Sequence, residues 1–268
     1  MTRAQLGYSL LLLLALFATL WFLLSPSVPQ PGQYHVFADT RIWLNIPNTF
    51  NVLSNLPFVF VGLLGLKLFF SPVARRHEII SRNLIAYRVL WLGVLLVGFG
   101  SSYYHWAPGN TSLMWDRLPI AMSLMAICAI LVGEHLSNLW GRVLLFPLVF
   151  LGLFSVFDWW LSEQAGMGDL KLYLLVQFLP MLAIPVILLC FAAQIKSTRH
   201  YWRLLLLYGL AKLAEQFDQM ILDVTSVLSG HTLKHLLAAL GLYLLLTGYR
   251  KQFTYAFKKE TNTALNDN

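Results

Sequence analysis

Five residues of this chain combine types and spacings suited to metal-assisted hydrolysis. Ser101 and His105 are four residues apart, and so are His231 and His235. A helix sets residues i and i+4 on one face, and two histidines placed that way commonly hold a single metal ion. His105 adds a third imidazole, and three histidines leave a zinc ion one open tetrahedral position for water. Asp116 follows His105 by eleven residues and brings a carboxylate to the same region.

Other readings of these residues stay open at this level. The His231/His235 pair alone fits an interfacial or structural role as well as a ligand role. A haem carrier also uses histidines on membrane helices, but each iron takes axial ligands from opposite ring faces, whereas His231 and His235 share one helix face. Glu215 and Asp218 can line a cavity, pair with Lys212 or stabilise packing. Asp158, beside Trp159 and Trp160, is a further candidate, with the tryptophans read as an interfacial aromatic belt. His77 and His200 read as interfacial, and Glu134 and His135 as rim residues without a catalytic role. Asn110-Thr111-Ser112 matches a glycosylation acceptor, a short pattern that matters only in a eukaryotic secretory membrane.

The elements that must position these side chains are membrane helices. The chain is 58% hydrophobic and 12% charged, about half the roughly 25% charged share of soluble domains. Apolar runs that reach or approach the ~20 residues a bilayer requires lie roughly at Leu6–Leu24, Phe50–Phe70, Tyr87–Tyr104, Leu118–Val132, Val143–Leu161, Leu172–Ala193, Trp202–Leu222 and Leu233–Tyr249. Backbone groups in lipid must pair internally, so the runs are read as helices. The alternation of a transmembrane barrel is absent. Cys128 and Cys190 fall within apolar runs and read as packing residues.

Lys and Arg set the orientation. Arg75, Arg76, Arg82 and Arg88, then Arg142, then Lys196, Arg199 and Arg203, then Arg250, Lys251, Lys258 and Lys259 fall on one side if the runs alternate. The opposite loops carry only Arg41, Arg117 and Lys171. This places both termini in the cytoplasm, and His105, Asp116, His231 and His235 near one extracytoplasmic surface. The net charge of +7 reads as a basic rim beside anionic lipid, with no role for nucleic acid. The first run exceeds a signal peptide's apolar stretch and lacks a small-x-small cleavage site, so it is read as a retained anchor.

Three segments together resemble the alkaline ceramidases and phytoceramidases, in a superfamily with the adiponectin and progestin receptors. They are Asn48–Asn55 (NTFNVLSN) with Pro57-Phe58, Gly98–His105 (GFGSSYYH) with Asp116-Arg117-Leu118-Pro119, and Gly230–Gly241 (GHTLKHLLAALG). The likeness covers about residues 39–250, and Asp218 sits where the family has an aspartate on its sixth core helix. The resemblance implies that His105, His231 and His235 bind Zn2+, while Ser101 and Asp116 assist catalysis. Animal members add a calcium site. Here Asp39 is the one acidic residue of the linker and Asn48 stands near a family glutamate, so that site is not expected.

The expected fold is an all-α integral membrane protein, a seven-transmembrane-helix core with an extra N-terminal transmembrane helix. Residues 1–25 form the anchor, 26–47 an extracytoplasmic linker, 48–250 the hydrolase domain and 251–268 a polar cytoplasmic tail, mobile at its end. The expected activity is zinc-dependent cleavage of a ceramide-like membrane lipid in a bilayer, with the compact loops closest to bacterial members and a bacterial inner-membrane location. A receptor-like or lipid-binding protein with a structural zinc is the alternative.

Overall fold

The computed structural model describes residues 1–195 and 197–266, with side chains as far as residue 255. The basic side chains of Lys196, Lys258 and Lys259 lie outside that description. Among the described residues there is no strand beyond an isolated bridge between Trp43 and Ile46. The helices are α1 (Arg3–Leu24), α2 (Thr49–Leu53), α3 (Leu56–Phe70), α4 (Pro72–Arg76), α5 (Glu78–Ser81), α6 (Leu84–Trp106), α7 (Asn110–His135), α8 (Asn138–Gln164), α9 (Lys171–Cys190), α10 (Arg199–Gln216), α11 (Asp218–Thr225) and α12 (Gly230–Asn266).

Seven described spans are long and apolar enough to cross a membrane: α1, α2 with α3, α6, α7, α8, α9, and α12 as far as Tyr255. The chain is therefore an all-α, multi-pass membrane protein. Its outer surface carries Leu12, Phe17, Phe146, Phe150, Leu189 and Leu206, as a lipid-facing surface requires. The run at Trp202–Leu222 departs from expectation. It breaks at Phe217 into α10 and α11. α10 carries Arg199, Arg203, Lys212 and Glu215, so composition alone does not mark it as a span, but it packs along α12, as an eighth crossing would.

α7 is the central helix. In its most apolar stretch 78% of residues are buried, against 11% in α1. α6 and α8 flank it, and α3 packs on α6. α1 leans on α9, and Lys171 of α9 donates to Phe22 O and Ser25 O, capping the C-terminal carbonyls of α1. The last helix runs past the expected boundary at residue 250 to Asn266, because residues 251–266 contain no Gly or Pro to stop it.

Two glycines set close approaches at the site. A Cβ on Gly100 would lie 3.0 Å from Trp115 C and 3.3 Å from Asp116 Cα, so only glycine lets α6 come this near to α7 beside Asp116. Pro119 has no N–H for the carbonyl of Trp115 four residues earlier, and that carbonyl faces Gly100. On Gly230 a Cβ would lie 2.7 Å from Asp218 Cα, so glycine lets the start of α12 sit against α11.

Candidate metal centre

His105, near the end of α6, and His231 and His235, on the first turns of α12, are all buried. One ring nitrogen from each lies within 4.8 Å of the other two, close enough for one ion to be shared after small side-chain movements. His105 Nε2 and His231 Nε2 face each other at 3.2 Å. Three imidazoles that converge with few other partners form a donor set that fits a metal cation, and zinc among them.

Neighbouring groups orient the rings. The Ser54 hydroxyl donates to Asn51 O at 3.0 Å, and its oxygen lies 2.7 Å from His235 Nδ1. With its own proton spent on Asn51, Ser54 accepts from Nδ1–H, which leaves His235 Nε2 as the free lone pair. Asn51 Oδ1 accepts from Thr232 Oγ1 at 2.8 Å, fixing the turn between the two histidines. Asn48, in the left-handed region at φ 48°, donates to His105 O at 2.8 Å. The Asn-x-x-Ser-Asn segment thus supports the ligands, and the break between α2 and α3 falls within it.

Asp218 has a positioning role that spacing did not show. One oxygen accepts from His231 N at 2.7 Å and the other from Ala38 N at 3.1 Å. It ties the start of α12 to the linker. That linker is a roof over the site. The ring of Phe37 packs 4.6 Å from that of His105 and 5.1 Å from that of His231. Aromatic residues within an otherwise polar segment were the available signal. Asp39, also in the linker, is held by Arg41 through Nε at 2.8 Å and Nη2 at 2.6 Å. Burial disfavours the Asp39 charge, but these hydrogen bonds outweigh it and hold the carboxyl below its ordinary value.

Ser101, Asp116 and His235 line one cavity of about 190 Å3. Ser101 is one turn before His105, and its hydroxyl is within interaction range of the Asp116 carboxylate. Asp116 Oδ1 is shielded from solvent and has no hydrogen-bond partner among the described residues. Away from this end the lining turns apolar at helical spacing: Ile120, Leu124 and Ile127 on α7, Val97 and Val94 on α6, Ala238 and Leu242 on α12. At 1.5 Å per residue the stretch from Asp116 to Ile127 is about 16 Å long.

Glu215 does line this cavity and pairs with Lys212 Nζ at 2.9 Å. It also pairs with Lys234 Nζ at 2.8 Å, and Lys234 lies 2.8 Å from His231 Nε2. Lys234 was not singled out by the sequence, because it lies between the two histidines on a helix full of leucine. Arg117 is buried rather than a loop charge. Its guanidinium lies 4.1 Å from the Trp159 ring centroid and 4.7 Å from that of Tyr173, and it donates to Gln30 Oε1. Trp159 is accordingly a core residue, contrary to its reading as part of a lipid-facing belt.

The remaining candidates lie elsewhere. Asp158 is exposed on α8 and does not line the cavity. Asn110 Nδ2 is directed at Glu163 and its Oδ1 at His35, so a glycan there would displace an internal contact. Glu134, His135 and His200 are buried at the opposite end of the bundle.

Comparison with curated proteins finds no match. A family model described as Ceramidase matches residues 42–265. The match begins after Phe37 and Asp39 of the roof but takes in all three histidines, Ser101 and Asp116, and by its extent the chain belongs to the Ceramidase family.

Proposed function

We propose that the chain hydrolyses the amide bond of a ceramide-like membrane lipid, using a zinc ion held by His105, His231 and His235. Family membership supports amide hydrolysis. The observation that carries the finer reading is the buried histidine triad at the head of a cavity that also holds an unpartnered Asp116 oxygen. When bound, zinc supplies Lewis acidity and lowers the pKa of its water toward about 7. Asp116 accepts a proton from the attacking water and passes it to the amide nitrogen as the C–N bond breaks. Ser101 donates to the carbonyl oxygen as negative charge develops there. Water thereby adds hydroxyl to the acyl carbon and hydrogen to nitrogen, yielding a fatty acid and a sphingoid-type amine. The apolar lining receives a chain at about 0.8 kcal/mol per buried CH2.

Purified protein is expected to carry about one zinc per chain, as a three-histidine site implies, and to release fatty acid from ceramide. His231→Ala and His235→Ala are each expected to lose both properties. Full zinc retention in both variants would remove the site. Zinc binding with no turnover on a broad panel of lipid amides would leave a receptor-like protein with a structural metal.

The Lys/Arg distribution supports placing the site on the extracytoplasmic side, with residues 1–25 as a retained anchor, 26–47 as linker and 48–250 as the catalytic domain. A reporter fused after residue 259 is expected in the cytoplasm and one inserted near residue 165 outside. The reverse pattern would move the site to the other face.

A further inference from the structure

The ionisable groups lining the cavity do not balance. Arg117, Lys212 and Lys234 face Asp116 and Glu215, three positive charges against two negative before any metal is counted. Glu215 alone serves both lysines, one on each oxygen, at 2.9 Å and 2.8 Å. Arg117 Nη1 is buried with no partner among the described residues. Unbalanced charge within a membrane protein is expensive and marks a functional pathway. Lys234 is the sharpest case, because its ammonium lies 2.8 Å from a nitrogen of the histidine triad. A metal at that triad and an ammonium beside it repel unless an anion stands between them.

We infer that the preferred substrates are acyl amides carrying an anionic group, a carboxylate or a phosphate, on the amine portion close to the scissile bond. Lys234 receives that anion. Glu215 holds Lys234 in place, and Lys212 leaves Glu215 only partly available to neutralise it. The acyl chain enters the apolar lining below Ser101 and Asp116, so the anion lies on the triad side of the amide. A neutral amide lipid fits the same cavity but leaves the extra positive charge unanswered. Lys234 is thus a specificity residue, distinct from the groups that move protons.

The inference rests on the amide-hydrolase reading, and the test separates the two. Zinc-loaded protein in detergent is assayed on matched pairs with identical acyl chains: N-acylglycine against N-acylethanolamine for the carboxylate, and ceramide phosphate against ceramide for the phosphate. In at least one pair kcat/KM is expected to favour the anionic member by about tenfold or more, the scale of one good charged contact. The pair that responds identifies the anion. Lys234→Met is expected to bring that ratio close to one, and Lys234→Arg to restore most of it. Lys212→Met frees Glu215 to neutralise Lys234 and is expected to lower the ratio by a smaller factor, which keeps the test open if Lys234→Met does not fold. Equal or better use of both neutral lipids, with ratios that Lys234→Met and Lys212→Met leave unchanged, would overturn the inference while leaving the hydrolase intact. If no lipid is cleaved, the hydrolase reading fails. Binding of a long-chain γ-keto acid against the matching γ-keto alcohol then decides the charge question alone, with tighter binding of the acid, lost in Lys234→Met, as the expected result and equal binding as the contrary one.

Discussion

The two ends of the bundle both bury carboxylates and imidazoles, but they finish them differently. At the head of the cavity Asp116 Oδ1 has no partner among the described residues, and three histidine nitrogens converge. At the opposite end Glu134 accepts from Tyr87 on one oxygen and from Tyr201 at 2.8 Å on the other. Tyr201 also meets Tyr249, and the rings of Tyr87 and Tyr249 pack edge to face at 5.2 Å. Phe69 stacks on Tyr87 at 4.7 Å. His135 Nε2 and His200 Nε2 are also unpartnered there, but none of these groups lines the cavity. Burial of ionisable groups is therefore not the mark of the site in this molecule. The mark is unspent hydrogen-bonding capacity facing a space that a lipid can enter.

The same chemical change made at both ends tests that distinction, and its largest effect is expected at the cavity. Asp116→Asn keeps size but removes the proton acceptor. Zinc content and thermal stability are expected to stay near wild type while amide turnover falls by about 10²–10⁴-fold, the range for losing a general base. Near wild-type turnover would take Asp116 out of the mechanism. Joint loss of zinc and stability would make it a ligand or a structural group, and the contrast between the two ends would collapse.

Much of the cavity end was legible in the sequence, because its signal is local. Ser101 with His105 and His231 with His235 each announce a shared helix face, and Lys/Arg counting brings the faces to one membrane side. What was not legible depends on partners far along the chain. Glu134 finds its tyrosines 47 and 67 residues away, and no periodicity encodes that meeting. Lys234 reads as one charge on a leucine-rich helix until Glu215, 19 residues earlier, is placed beside it. Phe37 and Asp218 act through tertiary contacts with the start of α12, so a linker that reads as a spacer proves to be a roof. The break at Phe217 was missed because no Gly or Pro marks it within residues 210–225, while Asp218 just beyond takes the His231 and Ala38 amides.

A smaller effect is expected from the support beneath the ligands. Ser54→Ala removes the oxygen that accepts from His235 Nδ1 but leaves all three ligands in place. Removing such a partner typically weakens metal affinity about 10–100-fold. Competition with a zinc chelator is expected to strip the variant at correspondingly lower chelator concentration, with turnover recovering in excess zinc. Unchanged affinity would mean that packing alone sets the His235 ring.

The smallest effect is expected at the opposite end. Glu134→Gln makes the same carboxylate-to-amide change as Asp116→Asn, in a place where every carboxylate oxygen already has a tyrosine hydroxyl. The amide oxygen still accepts from Tyr87. The amide nitrogen no longer accepts from Tyr201, but that hydroxyl can turn to Tyr249 and accept from the amide instead. The net loss is about one rearranged hydrogen bond, on the order of 1 kcal/mol of stability, seen as a modest fall in unfolding midpoint. Zinc content and kcat/KM on ceramide are expected to stay within about twofold of wild type, less than the tenfold that 1.4 kcal/mol would represent, because the cluster neither touches the cavity nor shares a partner with the triad. Tyr201→Phe is the control on the same network, removing one hydroxyl without changing any charge. A collapse of turnover in Glu134→Gln at preserved stability, with Tyr201→Phe near wild type, would show that this carboxyl moves protons too, and that an orphaned oxygen at a cavity wall is the wrong criterion for this protein.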